Sequence, residues 1–364
     1  MTRNMPASFM LLLFSSLQAA RSTEVPNLSE RQIRWGIMGT GHIAADMVRV
    51  LSQLEGTRIA AIGSRSTERA EDFVAAAGID GAKLYGSYED LVADGELDVV
   101  YVATPSLRHV DDAIKCLRAG HAVLCEKSMA PSVEEAVFVL DLARRKRLFF
   151  LHGVWSRFFP AMAEIRRVIA SGVIGDVRSA HASFCQNDGA GSCSAALETG
   201  IYCAQFLLWA FPGQTPSLRG VCAHRAEGCE HEDHVSALLQ FKQGVGTLEC
   251  SLRHASAREA TICGTKGIIR VPFPFWCPTS FTVQTMSGLG SQAWSDPVEH
   301  HTPLPSIDGP FNFVNSQGLA YEAMAVNSCL RKGLTEADAF GSDECLRVMQ
   351  VVTALREAAV SELR

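Results

Sequence analysis

One short stretch restricts this chain more than any other: Arg34-Trp-Gly-Ile-Met-Gly-Thr-Gly-His-Ile-Ala-Ala45. Ile33, Trp35, Ile37 and Met38 make the apolar run that a buried strand needs, and Ile43 to Leu54 reads as an amphipathic helix. Between them Gly39, Gly41 and Ala44 stand at G-x-G-x-x-A spacing, with Thr40, His42 and Ile43 in the intervening places. Gly39 permits a tight turn, Gly41 lets a pyrophosphate reach the backbone, and Ala44 lets the helix lie close to the strand. The helix N-terminus then offers free N–H groups and a positive dipole end to phosphate. Strand, glycine turn and helix in that order predict a dinucleotide-binding fold.

The next strand supports this and bears on the cofactor. Arg58 to Gly63 is apolar and ends at Ser64-Arg65-Ser66, with no carboxylate before Glu68. At this place an acidic side chain would bind a ribose 2′-hydroxyl, whereas a guanidinium and a hydroxyl suit a 2′-phosphate. Ser64 and Arg65 therefore predict NADP(H) rather than NAD(H); the other reading of Arg65 is a solvated residue at a helix start. A helix over 67–77, a short one opening at Gly86, a strand over 97–103 and a helix over 110–119 follow. Ala122 to Cys125 is a further strand, then a helix over 133–145 and a strand over 148–151. Such alternation predicts a parallel sheet with helices on both faces, whose ligands bind outside the carboxyl ends of the strands. The glycine turn, Thr104-Pro105 with His109 close behind, and Glu126-Lys127 all fall on that edge.

Beyond residue 152 the pattern changes. Helices are expected over 161–169, 199–211, 321–331 and 342–363, and strands over 177–184, 235–241, 245–252, 260–263, 267–271 and 280–284. Consecutive strands read as an antiparallel sheet, which can leave one face for a partner subunit. The expected class is α/β: a dinucleotide-binding domain over 31–152, then an α+β domain over 153–364 with an open-faced, mostly antiparallel sheet. Its last helix is free to pack back on the first domain.

With 33 basic against 39 acidic residues and no basic run, nucleic acid is not an expected partner. None of the 12 cysteines forms a C-x-x-C pair, and Cys125, Cys203, Cys250 and Cys263 sit in apolar runs, which suits free thiols and a cytoplasmic protein. Residues 1–30 read as a targeting-like or disordered extension, with an apolar segment too short to span a membrane. The run Glu230-His-Glu-Asp-His234 raises the question of a metal; a polar turn before a strand is the favoured reading, and no metal is expected.

The chain resembles the glucose-fructose oxidoreductase/inositol dehydrogenase family of NAD(P)-dependent oxidoreductases. The residues that carry the likeness are GIMGTGHIAADM (36–47), YGSYEDL (85–91), VLCEKSM (123–129), WSRFFPA (155–161), ETGIYCAQF (198–206), GTKG (264–267), PFWCPT (274–279) and FNFVNSQGLAYEA (311–323). The resemblance implies a Rossmann domain, a homodimer formed through the second sheet, and hydride transfer between NADP(H) and a small molecule. The expected donor is a secondary alcohol of a trans-dihydrodiol or the C1 hydroxyl of an aldose such as D-xylose. Other expectations are another sugar or cyclitol, or an NADP(H)-binding sensor of low activity.

The same resemblance gives roles. Lys127 holds the substrate hydroxyl and stabilises the developing alkoxide, and Glu126 orients the nicotinamide ribose. Tyr202 is the acid/base candidate, its pKa lowered by Lys127, with Glu198 four residues before it on one helix face. Gly39, Thr40, Gly41, His42, Ile43, Ser64, Arg65, Thr104, Pro105, His109, Glu126 and Lys127 are the expected cofactor residues; Trp155, Arg157, Phe158 and Trp276 are the expected substrate pocket, with ordinary core as the other reading of Trp155 and Trp276. Ser128 stands where the family has proline, Glu198 where it has aspartate, and His152 where relatives have glutamate. The stretch between Phe184 and Tyr202 is short.

Overall fold

In the computed structural model, residues 31–187, 194–287 and 293–363 are described. The expected extension over 1–30, and residues 188–193 of the short stretch before Tyr202, lie outside them. The first sheet has β1 Ile33–Met38, β2 Thr57–Gly63, β3 Lys83–Tyr85, β4 Val99–Val102, β5 Ala122–Glu126 and β6 Phe150–Gly153. They lie in the order β3-β2-β1-β4-β5-β6, all parallel. The helices between them are α1 His42–Gln53, α2 Thr67–Ala77, α3 Tyr88–Ala93, α4 His109–Ala119 and α5 Val133–Lys146. This is the doubly wound nucleotide-binding order, whose direction reverses between β1 and β4 and opens a crevice there.

Local chemistry sets the helix ends. Ser66, Ser87 and Ser132 cap α2, α3 and α5 by accepting the N–H of Arg69, Asp90 and Glu135. Strands β1, β4 and β5 are buried almost throughout, as strands covered on both faces must be.

The second sheet has eight strands: β7 Val177–Cys185, β8 Ser217–His224, β9 His234–Gln240, β10 Val245–Ser251, β11 Ala260–Gly264, β12 Gly267–Val271, β13 Ser280–Thr285 and β14 Val298–His301, in the order β14-β13-β12-β11-β7-β10-β9-β8. All neighbours run antiparallel except β7 and β10. One face, with Ala182, Phe184, Leu248 and Cys250, is buried, while His181, Leu238 and Thr247 point to the other and are exposed. Helix α6 Pro160–Ala170 precedes this sheet, and α7 Ile201–Ala210 lies against its buried face.

All ten residues of α7 are buried. It is therefore apolar all round rather than amphipathic, and it starts later than its sequence suggests: Ala196–Gly200 forms a wider π-type turn before it. Of the last two helices, α8 Leu319–Arg331 packs on α1 of the first sheet's layer, and α9 Ser342–Glu362 lies against α5, α7 and β8, bridging the two sheets' layers. From α8, Asn327 accepts the Trp35 indole N–H at 3.0 Å and donates to Thr57 at 2.9 Å. No helix of the described residues is long and apolar enough to cross a membrane.

Candidate active site

Gly39 has φ +111°, and a Cβ there would lie 2.5 Å from the Ala103 carbonyl oxygen. A Cβ on Gly41 would meet nothing within 4 Å, so the backbone faces open space at the start of α1. Gly41 caps that helix without a side chain, and its first turn carries no acidic residue. The leading N–H groups are therefore free for an anion.

A cavity runs outward from this turn along Gly39, Thr40 and Gly41 to Ser64, Arg65, Arg69, Tyr88 and Arg108. Arg108 is held by Asp112 at 2.9 Å, whereas Arg65 and Arg69 make no ion pair among the described residues. Ser64 and Arg65 thus sit where the sequence puts them, and Arg69 and Arg108 add two cations that the sequence reading missed. Arg69 lies four residues past Arg65, a spacing that would have suggested it.

A second cavity opens on the other side of Thr104 and Pro105, which line both. The Thr104 hydroxyl is buried and has no partner among the described residues. An anion cradle, a cationic end and an orphan hydroxyl where the cavities meet fit an extended dinucleotide. His42 is exposed at the start of α1 and lines neither cavity; its carbonyl accepts from the Asn312 amide at 3.2 Å.

Ile43, His109, Glu126, Lys127, Glu198 and Tyr202 converge on the second cavity. Lys127 Nζ donates to Glu198 Oε1 at 2.7 Å and to the Glu198 carbonyl at 3.2 Å, and lies 5.7 Å from the centre of the Tyr202 ring. Burial alone would push the lysine down, but Glu198, Tyr202 and Glu126 outweigh it and hold it above its ordinary value. Tyr202 behaves otherwise than expected. Burial pushes its hydroxyl up, and the opposing pull of Lys127 is the smaller influence, so Tyr202 rests protonated. The π-type turn also sends Glu198 to Lys127 rather than stacking it on Tyr202 by α-helical spacing.

Glu126 is buried, accepting from the Tyr101 hydroxyl at 2.5 Å and from the Lys127 N–H at 3.1 Å. The turn after Lys127 is fixed by hydrogen bonds: Ser128 Oγ donates to the Leu197 carbonyl at 2.9 Å, and the Ser128 carbonyl faces His109 Nδ1 at 2.8 Å. His152 Nε2 accepts the Met129 N–H at 3.1 Å.

The cavity wall is aromatic. Phe184 stacks on Trp276 with ring centres 4.0 Å apart, Phe273 meets Trp276 edge-on at 5.5 Å, and Trp155 completes the lining. Trp155 and Trp276 are thus pocket residues, but Arg157 and Phe158 are not. Arg157 is buried between Trp209 and Phe340 and pairs with Glu344 at 3.0 Å; burial pushes it down to about 10. Phe158 packs against the core. The short 3-10 turn Trp155–Phe158 gives neighbouring side chains different directions, so adjacency to Trp155 did not imply a shared cavity. Phe184, Arg258, Phe273 and Phe313 were missed; the motifs containing Phe273's neighbours and Phe313 had been noted, but nothing in their pattern marks a cavity.

The fold and this site define a nicotinamide-dependent oxidoreductase of the Rossmann type. The family description "Oxidoreductase family, NAD-binding Rossmann fold" matches residues 33–153, and "GFO/IDH/MocA C-terminal domain" matches 162–270. The chain belongs to this family of oxidoreductases. It is 36% identical over 338 residues to trans-1,2-dihydrobenzene-1,2-diol dehydrogenase of Homo sapiens, covering 90% of this chain and 96% of that one. With the Xenopus tropicalis protein of the same name it shares 32% over 347 residues, 91% and 98% of the two chains. Among solved structures it resembles KijD10, a 3-ketoreductase from Actinomadura kijaniata in complex with TDP-benzene and NADP, with TM-score 0.76, 22% identity and 91% and 98% coverage. Aldose-aldose oxidoreductase from Caulobacter crescentus is similar at TM-score 0.76, 19% identity and the same 91% and 98%.

Proposed function

We propose that this protein is an NADP(H)-dependent dehydrogenase that oxidises a secondary alcohol of a trans-dihydrodiol or the C1 hydroxyl of an aldose, or runs either reaction backward. The observation that carries this reading is the meeting of Lys127, Glu198 and Tyr202 in one cavity that adjoins the glycine turn. The dihydrodiol dehydrogenases at 32–36% identity support the substrate class. Arg65 and Arg69, which make no ion pair among the described residues, support NADP(H) over NAD(H), since a guanidinium suits a 2′-phosphate.

Gly39, Thr40 and Gly41 with the α1 N-terminus would hold the pyrophosphate, Ser64, Arg65 and Arg69 the 2′-phosphate, and Glu126 the nicotinamide ribose. NADP(H) supplies the hydride acceptor or donor. Lys127 holds the substrate oxygen and stabilises negative charge on it. Tyr202, resting protonated, gives its proton to that oxygen during reduction and takes one back during oxidation. Oxidation therefore gains as pH rises. Phe184, Trp276 and Phe273 exclude water and face a ring substrate with apolar surface. We also propose a homodimer through the exposed face of the second sheet, which light-scattering mass of the full chain tests.

The experiment is reduction of NADP+ and NAD+ with benzene dihydrodiol, D-xylose and D-glucose, beside Lys127→Met. Turnover with NADP+ that falls at least about 100-fold in the variant, with NADPH binding kept, is the expected outcome. Tight NADPH binding without turnover on any of the three would overturn the substrate reading and leave another sugar, a cyclitol or a sensor role.

A further inference from the structure

The metal question raised by Glu230-His-Glu-Asp-His234 has a different answer in three dimensions. Asp233 is spent on structure: its carboxylate accepts from the Ala226 N–H at 3.0 Å and meets His224 at 2.9 Å. His234, at the start of β9, instead joins residues from two other places. On the face of the second sheet opposite α7, its Nε2 lies 3.5 Å from Oε1 of Glu249 on β10. His254, in the loop after β10, brings its Nε2 to 3.5 Å from the same oxygen, and the two imidazole rings meet edge-on at 5.2 Å. Cys185, the last residue of β7, completes the group: its Sγ, a Glu249 oxygen and a His254 nitrogen all lie within 4.8 Å of one another.

We infer that Cys185, Glu249 and His254, with His234 as fourth donor, form a binding site for a borderline-soft divalent cation of the zinc type. A thiolate, a carboxylate and two imidazoles are the donors such ions take, and a hard cation such as magnesium would not choose a thiol. A tetrahedral centre with bonds of about 2.0–2.3 Å sets its ligands about 3.5 Å apart, so Cys185, Glu249 and His254 need to close by about an ångström, and His234, outside that group though 3.5 Å from Glu249, has to swing in further. His254 lies in a loop and is half-exposed, which leaves it room to do so, and His234 would give up its 3.0 Å contact with Ser236 Oγ. On binding, the Cys185 thiol loses its proton to solvent and the sulfur bonds the metal, with no change of oxidation state.

The position gives the site a consequence. Cys185 lies between Phe184 on β7 and Gln186 just beyond its end, both of which line the active cavity. His254 belongs to the loop that leads to Arg258, whose guanidinium lies 4.5 Å from the Phe273 ring centre and 5.9 Å from that of Trp276. A metal held by Cys185 and His254 would tie together, from behind, the two segments that carry this wall.

The test is cobalt titration of the metal-free full-length protein, in whatever assembly it forms. The expected result is visible d–d bands of tetrahedral intensity with a thiolate-to-cobalt band in the near ultraviolet, saturating at one ion per chain and erased by zinc. Cys185→Ser should lose the thiolate band, His254→Ala should weaken binding at least about tenfold, and Cys263→Ser, a half-buried thiol opposite Ser179 at the far end of β7, should change neither. Zinc should raise the melting temperature of the parent protein and not of Cys185→Ser. If Cys185→Ser fails to fold, the exposed His254→Ala carries the test. A parent protein without the thiolate band, or bands undiminished in Cys185→Ser or His254→Ala, would overturn the site and leave Glu249 as a carboxylate lying between two histidines.

Discussion

Lys127 and Glu126 were legible because a buried strand delivers its next residues to the ligand edge of a parallel sheet, and the sequence marks that strand clearly. The protonation of Tyr202 was not legible. A neighbouring cation can be guessed from a motif, but the burial that outweighs it depends on Phe184, Trp276 and the whole of α7. Glu198 holds Lys127 charged against burial, so under the proposed mechanism it would set the alkaline side of catalysis. In that mechanism Lys127 acts as the ammonium, and Glu198 raises the pH at which its charge is lost. Glu198→Gln should therefore move the alkaline limb of kcat/KM to lower pH, while Glu198→Asp, retaining the charge, should keep most of the range. A pH–rate profile whose limb is unmoved in Glu198→Gln would mean that Glu198 does not set the charge of Lys127.

At the scale of elements, periodicity located the strands and helices that have one clear partner layer, within one or two residues at most ends. It missed β8 and β14, the edge strands of the second sheet, whose mixed exposure leaves no buried face to alternate, and the three-residue β3. It also could not show what holds the non-repetitive segment over 311–316 against the active cavity. That segment is fastened to α1 by one buried carboxylate. Asp46 accepts the Asn312 N–H at 2.9 Å and the Phe313 N–H at 3.1 Å, the Asn312 side-chain amide at 2.7 Å and the Ser316 hydroxyl at 2.6 Å. The partners are 266 positions apart in the chain, which no local pattern reveals. Asp46→Asn puts a donor among donors. It should cost about 1–3 kcal/mol of stability and raise the substrate KM more than it lowers kcat, because Asn312, Phe313 and Val314 line the cavity. Thermal unfolding and steady-state kinetics on the same sample check both halves; an unchanged KM would separate the fastening from the pocket.

Over the whole molecule, the last helix ties the end of the chain to the active-site turn, and histidine makes that tie sensitive to acid. His152 on β6 accepts the Met129 N–H through Nε2, so its ring proton lies on Nδ1, 3.3 Å from the Cys345 thiol on α9. Burial, helped by nearby His109, pushes His152 down to about 3. His109 is pushed down as well, by its own burial above all. The sign follows from which state takes the proton. Unfolded histidine binds it below about pH 6.5 while the folded ring stays neutral, so acid favours the unfolded chain from about pH 6.5 down to the folded value. Stability is present in full above that window and drains away below it; between about pH 7 and about pH 5, His152 alone should remove about 2 kcal/mol. His152→Gln keeps an acceptor for Met129 but cannot titrate. The variant should be less stable than the parent near neutrality, through imperfect packing, yet lose less on acidification. Urea unfolding at the two pH values measures this. Parallel losses in both proteins would show that the folded ring takes up its proton as readily as the unfolded one, and that the acid limb is set by other groups.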